Sequence, residues 1–167
     1  MAVADQDFVE FVETTSPSLR RTAFLISGDR HKADDIVQDA LYKLYLAWPR
    51  VRRVGNQFAY ARRIVVNVAN DGGRRPWRRE VATAAVPDTT ADDFAIGHAE
   101  RDEVLDVLRS LPPRQRACVV LRYYEDLSVE QTAEILGCSS GTVKSQASRG
   151  LDTLRQAIDR RRTSRAL

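Results

Sequence analysis

The chain has 167 residues, of which 43% are hydrophobic and 29% are charged, and its formal net charge is +3. This length allows one domain or two small ones, and this hydrophobic content is sufficient for packed cores, which excludes a disordered chain. No apolar run approaches the roughly 20 residues that span a bilayer, and the acidic start of the chain is unlike a secretory signal. The sequence therefore predicts a globular protein of the cytoplasm.

The charge is unevenly distributed along the chain. Residues 49–80 carry nine arginines against two acidic residues, a net charge of +7, and residues 140–167 carry seven basic against two acidic residues, a net charge of +5. The other segments, 1–48, 81–99 and 100–139, each have a net charge of −3. Because basic blocks are the electrostatic footprint of a polyanionic partner, the two blocks indicate two contacts with nucleic acid.

The first half of the chain predicts a helical bundle. Apolar residues recur at helical spacing over residues 5–13, 17–27, 31–48 and 57–71. Pro49 is expected to close the third helix, because proline lacks the N–H that continues a helix. The expected core face of this third helix contains Ile36, Val37, Ala40, Leu41, Leu44, Tyr45 and Trp48.

A polar strip lies on another face of the third predicted helix. It consists of Asp35, Gln38, Asp39 and Tyr42, which are separated by three, one and three residues and therefore lie together. Such a strip is typical of a solvated surface, but its carboxylates are also suited to docking the basic side chains of a protein partner. Spacing alone leaves both interpretations open.

The fourth predicted helix carries a polar outer face that leads into an arginine cluster at residues 74–79. Arginine forms forked bonds to phosphates, and Trp77 offers a surface on which an unpaired base can stack. Taken alone, the segment is equally consistent with a solvated basic helix end. The nucleic-acid candidates here are Arg63, Asn67, Asn70, Arg74, Arg75 and Trp77.

Residues 81–99 have the composition of a flexible linker. They are rich in Ala, Thr and Asp, contain Pro87 and lack lysine and arginine. The chain is therefore expected to divide into a domain at 1–80, this linker and a domain at 100–167. No segment shows the strict alternation of an exposed strand, so the predicted fold class is all-α, with two small helical domains.

Residues 127–151 predict a helix-turn-helix. Ser128 and Gln131 form a capping box that starts one helix, and Gly137 supplies the permissive backbone of the turn. The next helix begins near residues 139–140, and one of its faces is apolar. Its opposite face carries short polar and basic groups that can reach base edges in a major groove. These groups are Thr142, Lys144, Ser145, Gln146, Ser148 and Arg149.

In their order and separation, these segments resemble the extracytoplasmic-function sigma factors of bacterial RNA polymerase, and among them the compact two-domain type often found in actinobacteria. Residues 33–48 resemble sigma region 2.2, residues 58–75 resemble regions 2.3 and 2.4, and residues 111–155 resemble region 4. The resemblance covers nearly the whole chain.

The resemblance implies a role for each candidate surface. The strip of Asp35, Gln38, Asp39 and Tyr42 would dock on the clamp of the largest polymerase subunit, and the arginine-rich face of the fourth helix would engage the melted minus-10 element. The helix after residue 139 would read the minus-35 element in the major groove. The implied partners are the polymerase core, through its clamp and flap, and promoter DNA. An anti-sigma factor is a further candidate partner.

Two departures from the family pattern limit what can be carried over. Gln146 and Ala147 stand where many relatives have arginine followed by a bulky apolar residue, so the minus-35 sequence cannot be taken from relatives. The sequence does not indicate which bases the segment at 74–79 prefers either.

The main alternative function is that of a helix-turn-helix regulator that acts without the polymerase core. A third possible function is RNA binding, which rests only on the arginine cluster with Trp77.

Neither catalysis nor a bound cofactor is expected. Cys118 and Cys138 are the only cysteines, and they lack the second pair of ligands that a structural zinc site needs. His31 and His98 are isolated from each other, and no nucleophile has an adjacent base. The sequence therefore predicts a specificity subunit that is not an enzyme and that binds no metal ion.

Overall fold

A computed structural model describes the backbone of residues 3–71 and 98–167. Within these ranges the chain forms seven α-helices, one π-helical turn and no strand, which confirms the expected all-α class. The chain divides into two compact units, unit 1 (Met1–Asp92) and unit 2 (Asp93–Leu167). In the described part of the chain, no helix combines the length and apolar content that a bilayer span requires.

Unit 1 contains three helices that pack around one core. Each helix contributes fully buried side chains, among them Leu19, Leu44 and Val65. Burying an aliphatic side chain of this size contributes about 1.5–3 kcal/mol, so the core rather than helix propensity holds the bundle together. The helices are α1 (Val3–Ser27), α2 (Arg30–Val51) and α3 (Gln57–Asn70).

Helix α1 continues through Pro17, so the prediction of two separate helices on either side of this residue is wrong. Pro17 cannot donate a hydrogen bond to the carbonyl four residues earlier. The hydroxyls of the three preceding residues, Thr14, Thr15 and Ser16, donate to the carbonyl oxygens four positions before them, at 2.8, 2.7 and 2.6 Å. Because residues on both sides of the proline pack in the same core, tertiary burial keeps the helix continuous.

Helix α2 begins at a capping aspartate and ends later than predicted. The carboxylate of Asp29 accepts from the backbone N–H groups of His31 and Lys32, at 2.8 and 3.2 Å. The hydrogen bond from the backbone N–H of Lys32 is the largest of the effects that lower the pKa of Asp29. Pro49 was expected to close α2 but lies inside it, and the helix extends to Val51, which is fully buried in the core.

Helix α3 confirms the prediction of a helix over 57–71 to within one residue. Asn56 caps it by accepting from the backbone N–H of Ala59 at 3.1 Å. Arg50, near the end of α2, donates to the phenol oxygen of Tyr60 at 2.9 Å. The start of α3 is therefore fixed by a cap, and it is tied to the end of α2 by a side-chain bond.

Unit 2 is built around a long C-terminal helix. The buried residues of unit 2 come from every one of its helices and from the connections between them, and they include Leu111, Leu121 and Val143. Its elements are α4 (His98–Ser110), α5 (Pro113–Val119), the π-helical turn (Val120–Tyr124), α6 (Val129–Leu136) and α7 (Ser140–Arg165).

The predicted helix-turn-helix is confirmed in α6 and α7. Ser128 Oγ accepts from the backbone N–H of Gln131 at 3.0 Å, and Gln131 Oε1 accepts from the backbone N–H of Ser128 at 2.9 Å. Gly137 ends α6 with a φ of 65°, in the left-handed region that favours glycine. Ser139 then caps α7 by accepting from the backbone N–H of Thr142 at 3.1 Å.

The corner between α4 and α5 is held by the side chain of Arg116. Its Nε donates to the carbonyl of Leu108 at 2.9 Å, and its Nη2 donates to the carbonyls of Arg109 and Leu111 at 3.1 and 3.0 Å. Carbonyls at the C-terminal end of a helix need such partners. Burial, with a smaller effect of the Arg109 charge, lowers the pKa of Arg116, although a guanidinium stays charged in proteins.

Helices α5 and α7 approach each other closely at Gly150, which is buried. A Cβ atom at this position would lie 2.6 Å from Cγ2 of Val119 and 3.4 Å from the carbonyl oxygen of Gln115. Val143 and Ala147 lie on the same side of α7 and are buried as predicted. The absence of a side chain at residue 150 therefore sets the distance between the two helices.

We expect Gly150→Ala to lower the free energy of unfolding of unit 2 by about 1–3 kcal/mol relative to Gly141→Ala, because the new methyl group at residue 150 must displace Val119 in a packed core, whereas both substitutions gain helix propensity. Gly141→Ala is a matched control, since the nearest atom there, Ser139 Oγ, is 3.9 Å from the new Cβ. Alanine favours a helix over glycine by about 0.8–1.0 kcal/mol, so the control is expected to be neutral or stabilising. Urea denaturation followed by circular dichroism measures both, and equal stability of the two variants would contradict the close approach.

Candidate protein and nucleic-acid interfaces

The polar strip on α2 is open to a partner at three of its four positions. Asp35 is exposed, Gln38 is half-buried and Tyr42 is 59% exposed. Asp39 is only 7% exposed, so the expectation that its carboxylate lies on the open surface is wrong. It follows the core residue Ile36 by three positions, and residues three apart share a side of a helix, which places Asp39 at the packed margin of the strip.

The same side of α2 continues as an apolar surface. Leu46 follows Tyr42 by four positions and is 64% exposed. Tyr45, which was expected in the core, is 48% exposed, and its hydroxyl donates to Asp5 Oδ1 at 3.3 Å. The sequence analysis placed Tyr42 on the polar strip, assigned Tyr45 to the core and did not assign Leu46 to either face, so the apolar part of this surface was missed. We define the outer face of α2 as Asp35, Gln38, Tyr42 and Leu46.

The predicted polar face of α3 is exposed. Arg63, Asn67 and Asn70 follow one another at intervals of four and three residues, and each is exposed. Beside them, the guanidinium of Arg62 lies 5.4 Å from the ring centroid of Phe58, a distance at which a cation and an aromatic face attract each other. The remaining candidates of this segment, Arg74, Arg75 and Trp77, lie outside the described residues.

The first ten residues of α7 present the predicted polar and basic groups to solvent. Thr142 and Gln146 are half-buried, and the hydroxyl of Thr142 lies 2.9 Å from Ser139 Oγ within the cap of the helix. The remaining candidates are exposed. They are Lys144, Ser145, Ser148 and Arg149.

Both cysteines are free thiols in unit 2. Cys118 is buried in α5, and Cys138 is half-buried at the turn between α6 and α7. Burial raises the pKa of Cys118 to about 11, the charge of the Cys138 thiolate adds to this rise, and Arg114 opposes it. Across residues 3–71 and 98–167, His, Cys, Asp and Glu side chains do not gather in a group of three or more that could hold a metal ion.

Family models match both units of the chain. Residues 11–79 match the sigma-70 region 2 model, and residues 101–154 match the model described as sigma-70, region 4. The first match contains the outer face of α2 and the polar face of α3. The second contains the helix-turn-helix.

Curated relatives align over most of the chain. An RNA polymerase sigma-E factor of Streptomyces avermitilis is 38% identical over 155 residues, which cover 93% of this chain and 87% of the relative. An ECF RNA polymerase sigma factor, EcfG of Rhodopseudomonas palustris, is 32% identical over 147 residues, covering 83% of this chain and 77% of the relative.

A solved structure is also similar over both units. The sigma factor RpoE of Bartonella quintana, in complex with the anti-sigma factor NepR, matches with a TM-score of 0.71 and 26% identity, covering 92% of this chain and 98% of that chain. CnrH, solved in complex with the cytosolic domain of CnrY, shares the fold with a TM-score of 0.63 at 22% identity, over 93% of this chain and 89% of that chain.

We expect an alkylating reagent at pH 8 to modify Cys138 before Cys118 in the folded chain. With a pKa of about 11, Cys118 has only about one thousandth of its thiol in the reactive thiolate form at that pH. Peptide mass spectrometry after a short reaction with iodoacetamide measures both sites, and the urea-unfolded chain is the control in which both should react. Equal labelling of the two thiols in the folded chain would contradict the buried position of Cys118.

Proposed function

The chain belongs to the extracytoplasmic-function sigma factors of RNA polymerase, and we propose that it reads a promoter at two points while the polymerase core holds its two units in register. The observation that carries this proposal is the division of surfaces between the units. Unit 1 exposes an acidic and apolar face on α2 and a polar face on α3, whereas unit 2 exposes the basic reading face of α7. The family matches over both units favour this function over a regulator that acts without the polymerase.

We assign residues 1–80 to core binding and minus-10 recognition, residues 81–99 to a linker and residues 100–167 to minus-35 recognition. The spans of the two family matches, 11–79 and 101–154, support this division. Catalysis belongs to the polymerase, so the chain acts as a specificity subunit and not as an enzyme. A protein with these partners works in the cytoplasm.

The outer face of α2 docks on the clamp of the largest polymerase subunit. Asp35 supplies an exposed carboxylate for basic side chains of the clamp, and Gln38 adds a hydrogen-bonding amide. Tyr42 and Leu46 add apolar area beside this charge, which is the combination of anchor and polar rim that stabilises a protein interface. Asp39 contributes from the packed margin of the strip by its charge rather than by direct contact.

The polar face of α3 engages the minus-10 element. Arg63, Asn67 and Asn70 face solvent along one side of the helix, where they can contact a melted strand and hold a base taken out of the stack. We assign phosphate contacts and base stacking to the basic segment that follows α3 in the chain. Its proposed members are Arg74, Arg75 and Trp77.

The N-terminal part of α7 reads the minus-35 element from within the major groove. A groove about 12 Å wide admits an α-helix, and the residues nearest the helix start reach base edges. Lys144 and Arg149 are suited to guanine or to phosphate, and the shorter side chains contact bases and the sugar-phosphate backbone. The proposed minus-35 residues are Thr142, Lys144, Ser145, Gln146, Ser148 and Arg149.

An anti-sigma factor is proposed as a regulatory partner. The similar sigma factor of Bartonella quintana was solved with the anti-sigma factor NepR bound, which supports this type of regulation for a related chain. The polymerase flap is the proposed contact of unit 2 in the holoenzyme.

Reconstitution with purified core polymerase tests the proposed function. The chain is expected to co-purify with core and to direct runoff transcription from promoters identified by mapping start sites after overexpression. High-affinity binding to duplex DNA without polymerase, together with no stimulation of transcription, would favour the regulator instead.

We expect Asp35→Lys to weaken binding to core polymerase by roughly 1.5–3 kcal/mol, because it replaces a charge-assisted contact by repulsion. Glu13→Lys is a matched control, since it makes the same charge reversal at an exposed position of α1 in the same unit. Asp39 is kept unchanged because a lysine there would enter a buried site. Competition for core against the unmodified chain measures the affinities, and equal binding by the two variants would contradict the docking assignment.

We expect Arg149→Ala to reduce discrimination in favour of the native minus-35 sequence by roughly 1–3 kcal/mol, the value of a bidentate contact to a base. The measurement compares holoenzyme binding to the native promoter and to a promoter with a substituted minus-35 element. An equal loss on both DNA sequences would identify a phosphate contact and contradict base reading by Arg149.

A further inference from the structure

Unit 1 contains a cavity of about 390 Å³ to which all three of its helices contribute. Residues of α1 form one wall, Trp48 and Arg52 at the end of α2 form a second, and Gln57 at the start of α3 forms a third. Neither the outer face of α2 nor the polar face of α3 contributes a residue to this lining. The cavity is therefore separate from the proposed binding faces of unit 1.

Two threonines in the wall formed by α1 offer hydrogen-bond acceptors to a ligand. Thr14 Oγ1 donates to the carbonyl of Glu10 at 2.8 Å, and Thr15 Oγ1 donates to the carbonyl of Phe11 at 2.7 Å. A hydroxyl has one hydrogen and two lone pairs, so each of these oxygens is left with lone pairs only. A ligand that meets either oxygen must supply the hydrogen.

The amide of Gln57 adds a further acceptor. Its Nε2 donates to the backbone carbonyl of Arg52 at 3.1 Å, which fixes the amide at the junction of α2 and α3. The amide oxygen and one N–H are left for a ligand. Acceptors therefore outnumber donors among the uncharged groups of the lining.

The lining has a net charge of −1. Asp7 Oδ2 accepts from Arg52 Nη2 at 2.6 Å, so these two charges form an ion pair. Glu10 is exposed and forms no ion pair within residues 3–71 and 98–167. One carboxylate is thus left to attract a cation. A metal ion fits this set poorly, because Ca²⁺ requires six to eight oxygen ligands that include several carboxylates.

Aromatic rings form the inner wall of the cavity. The ring centroids of Phe11 and Trp48 lie 5.2 Å apart, and Trp48 is only 3% exposed, so packing fixes both rings. Aromatic faces attract organic cations, and they also pack against the methylene groups of a flexible chain. This wall suits a cation that carries an alkyl chain.

We propose that this cavity binds a primary alkylammonium group. An ammonium has three N–H donors and no acceptor, which matches the Glu10 carboxylate and the oxygens of Thr14 and Thr15. The alkyl chain lies against Phe11 and Trp48. Two sources carry this chemistry, a free polyamine and the lysine side chain of a protein partner. The inference goes beyond the proposed function and does not depend on it, because every contact lies within unit 1.

The first test titrates the full chain with butane-1,4-diamine at constant ionic strength and follows the indole N–H signal of Trp48 by nuclear magnetic resonance. The chain has two tryptophans, and the variant W77F identifies the signal of Trp48. A saturable shift is expected, with half-saturation at or below about 1 mM, an affinity within the range of ligands of this size. A shift that never saturates would overturn the inference. Equally tight binding of succinate, an anion of similar length, would overturn it too.

A pair of matched variants tests the role of Glu10. E10Q is expected to weaken binding of the diamine about tenfold or more, the effect of one charge-assisted hydrogen bond. E13Q removes the same charge from an exposed position of α1 outside the lining, and it is expected to change binding little. Equal weakening by the two variants would reduce the effect to general attraction by an acidic helix and contradict a defined site.

A third variant and a second probe complete the test. T14V removes one acceptor without a change of charge and is expected to weaken binding about two- to tenfold; unchanged binding would contradict the contact with this hydroxyl. Comparison of butane-1,4-diamine with a lysine blocked at both backbone ends distinguishes the two sources. Tighter binding of the diamine supports a free polyamine, and tighter binding of the blocked lysine supports a protein side chain.

Discussion

The close approach of α5 and α7 at Gly150 is the constraint on which the exposed face of α7 depends. It fixes the rotation of α7 about its own axis, because only the face that lacks a side chain at residue 150 can meet α5 at this distance. That rotation turns Val143 and Ala147 inward, and it leaves Lys144 and Arg149 in solvent. Because successive residues differ by about 100° around a helix, a change in this packing would turn a different set of side chains toward DNA.

Helix α2 of unit 1 separates a core side from an exposed side in the same way, but with a narrow margin. Asp35 and Asp39 are four residues apart, an advance of about 40° beyond a full turn. This difference is enough to leave the first exposed and to bury the second beside the core. The outer face of α2 therefore begins with a single accessible carboxylate and ends with the apolar side chain of Leu46. Charge at one end and apolar area at the other would hold a docked partner in a defined orientation.

Features that depend on local chemistry could be predicted from the sequence, and features that depend on packing could not. The capping box of Ser128 and the glycine turn at Gly137 follow from a few neighbouring residues, so the helix-turn-helix was predicted correctly. Pro17 wrongly indicated a break between two helices, because the burial of residues on both sides of it outweighs the one hydrogen bond that proline cannot donate. Asp39 follows the predicted core residue Ile36 by three positions, so spacing indicates only that it lies at the margin of the core, and the packing of other helices against α2 decides that it is buried. A glycine inside a long predicted helix was the available signal for the crossing at Gly150, but only the structure identifies its neighbour.

The three hydrogen bonds of Arg116 have a mechanical consequence. They join the last carbonyls of α4 to the body of α5, so the end of α4 cannot unwind without breaking charge-assisted bonds in a partly buried site. Gln115, the neighbour of Arg116 in the chain, is also one of the α5 residues that meet α7 at Gly150. The corner between α4 and α5 and the crossing of α5 with α7 therefore depend on the same turn of α5, and a loss of helix at that turn would disturb both.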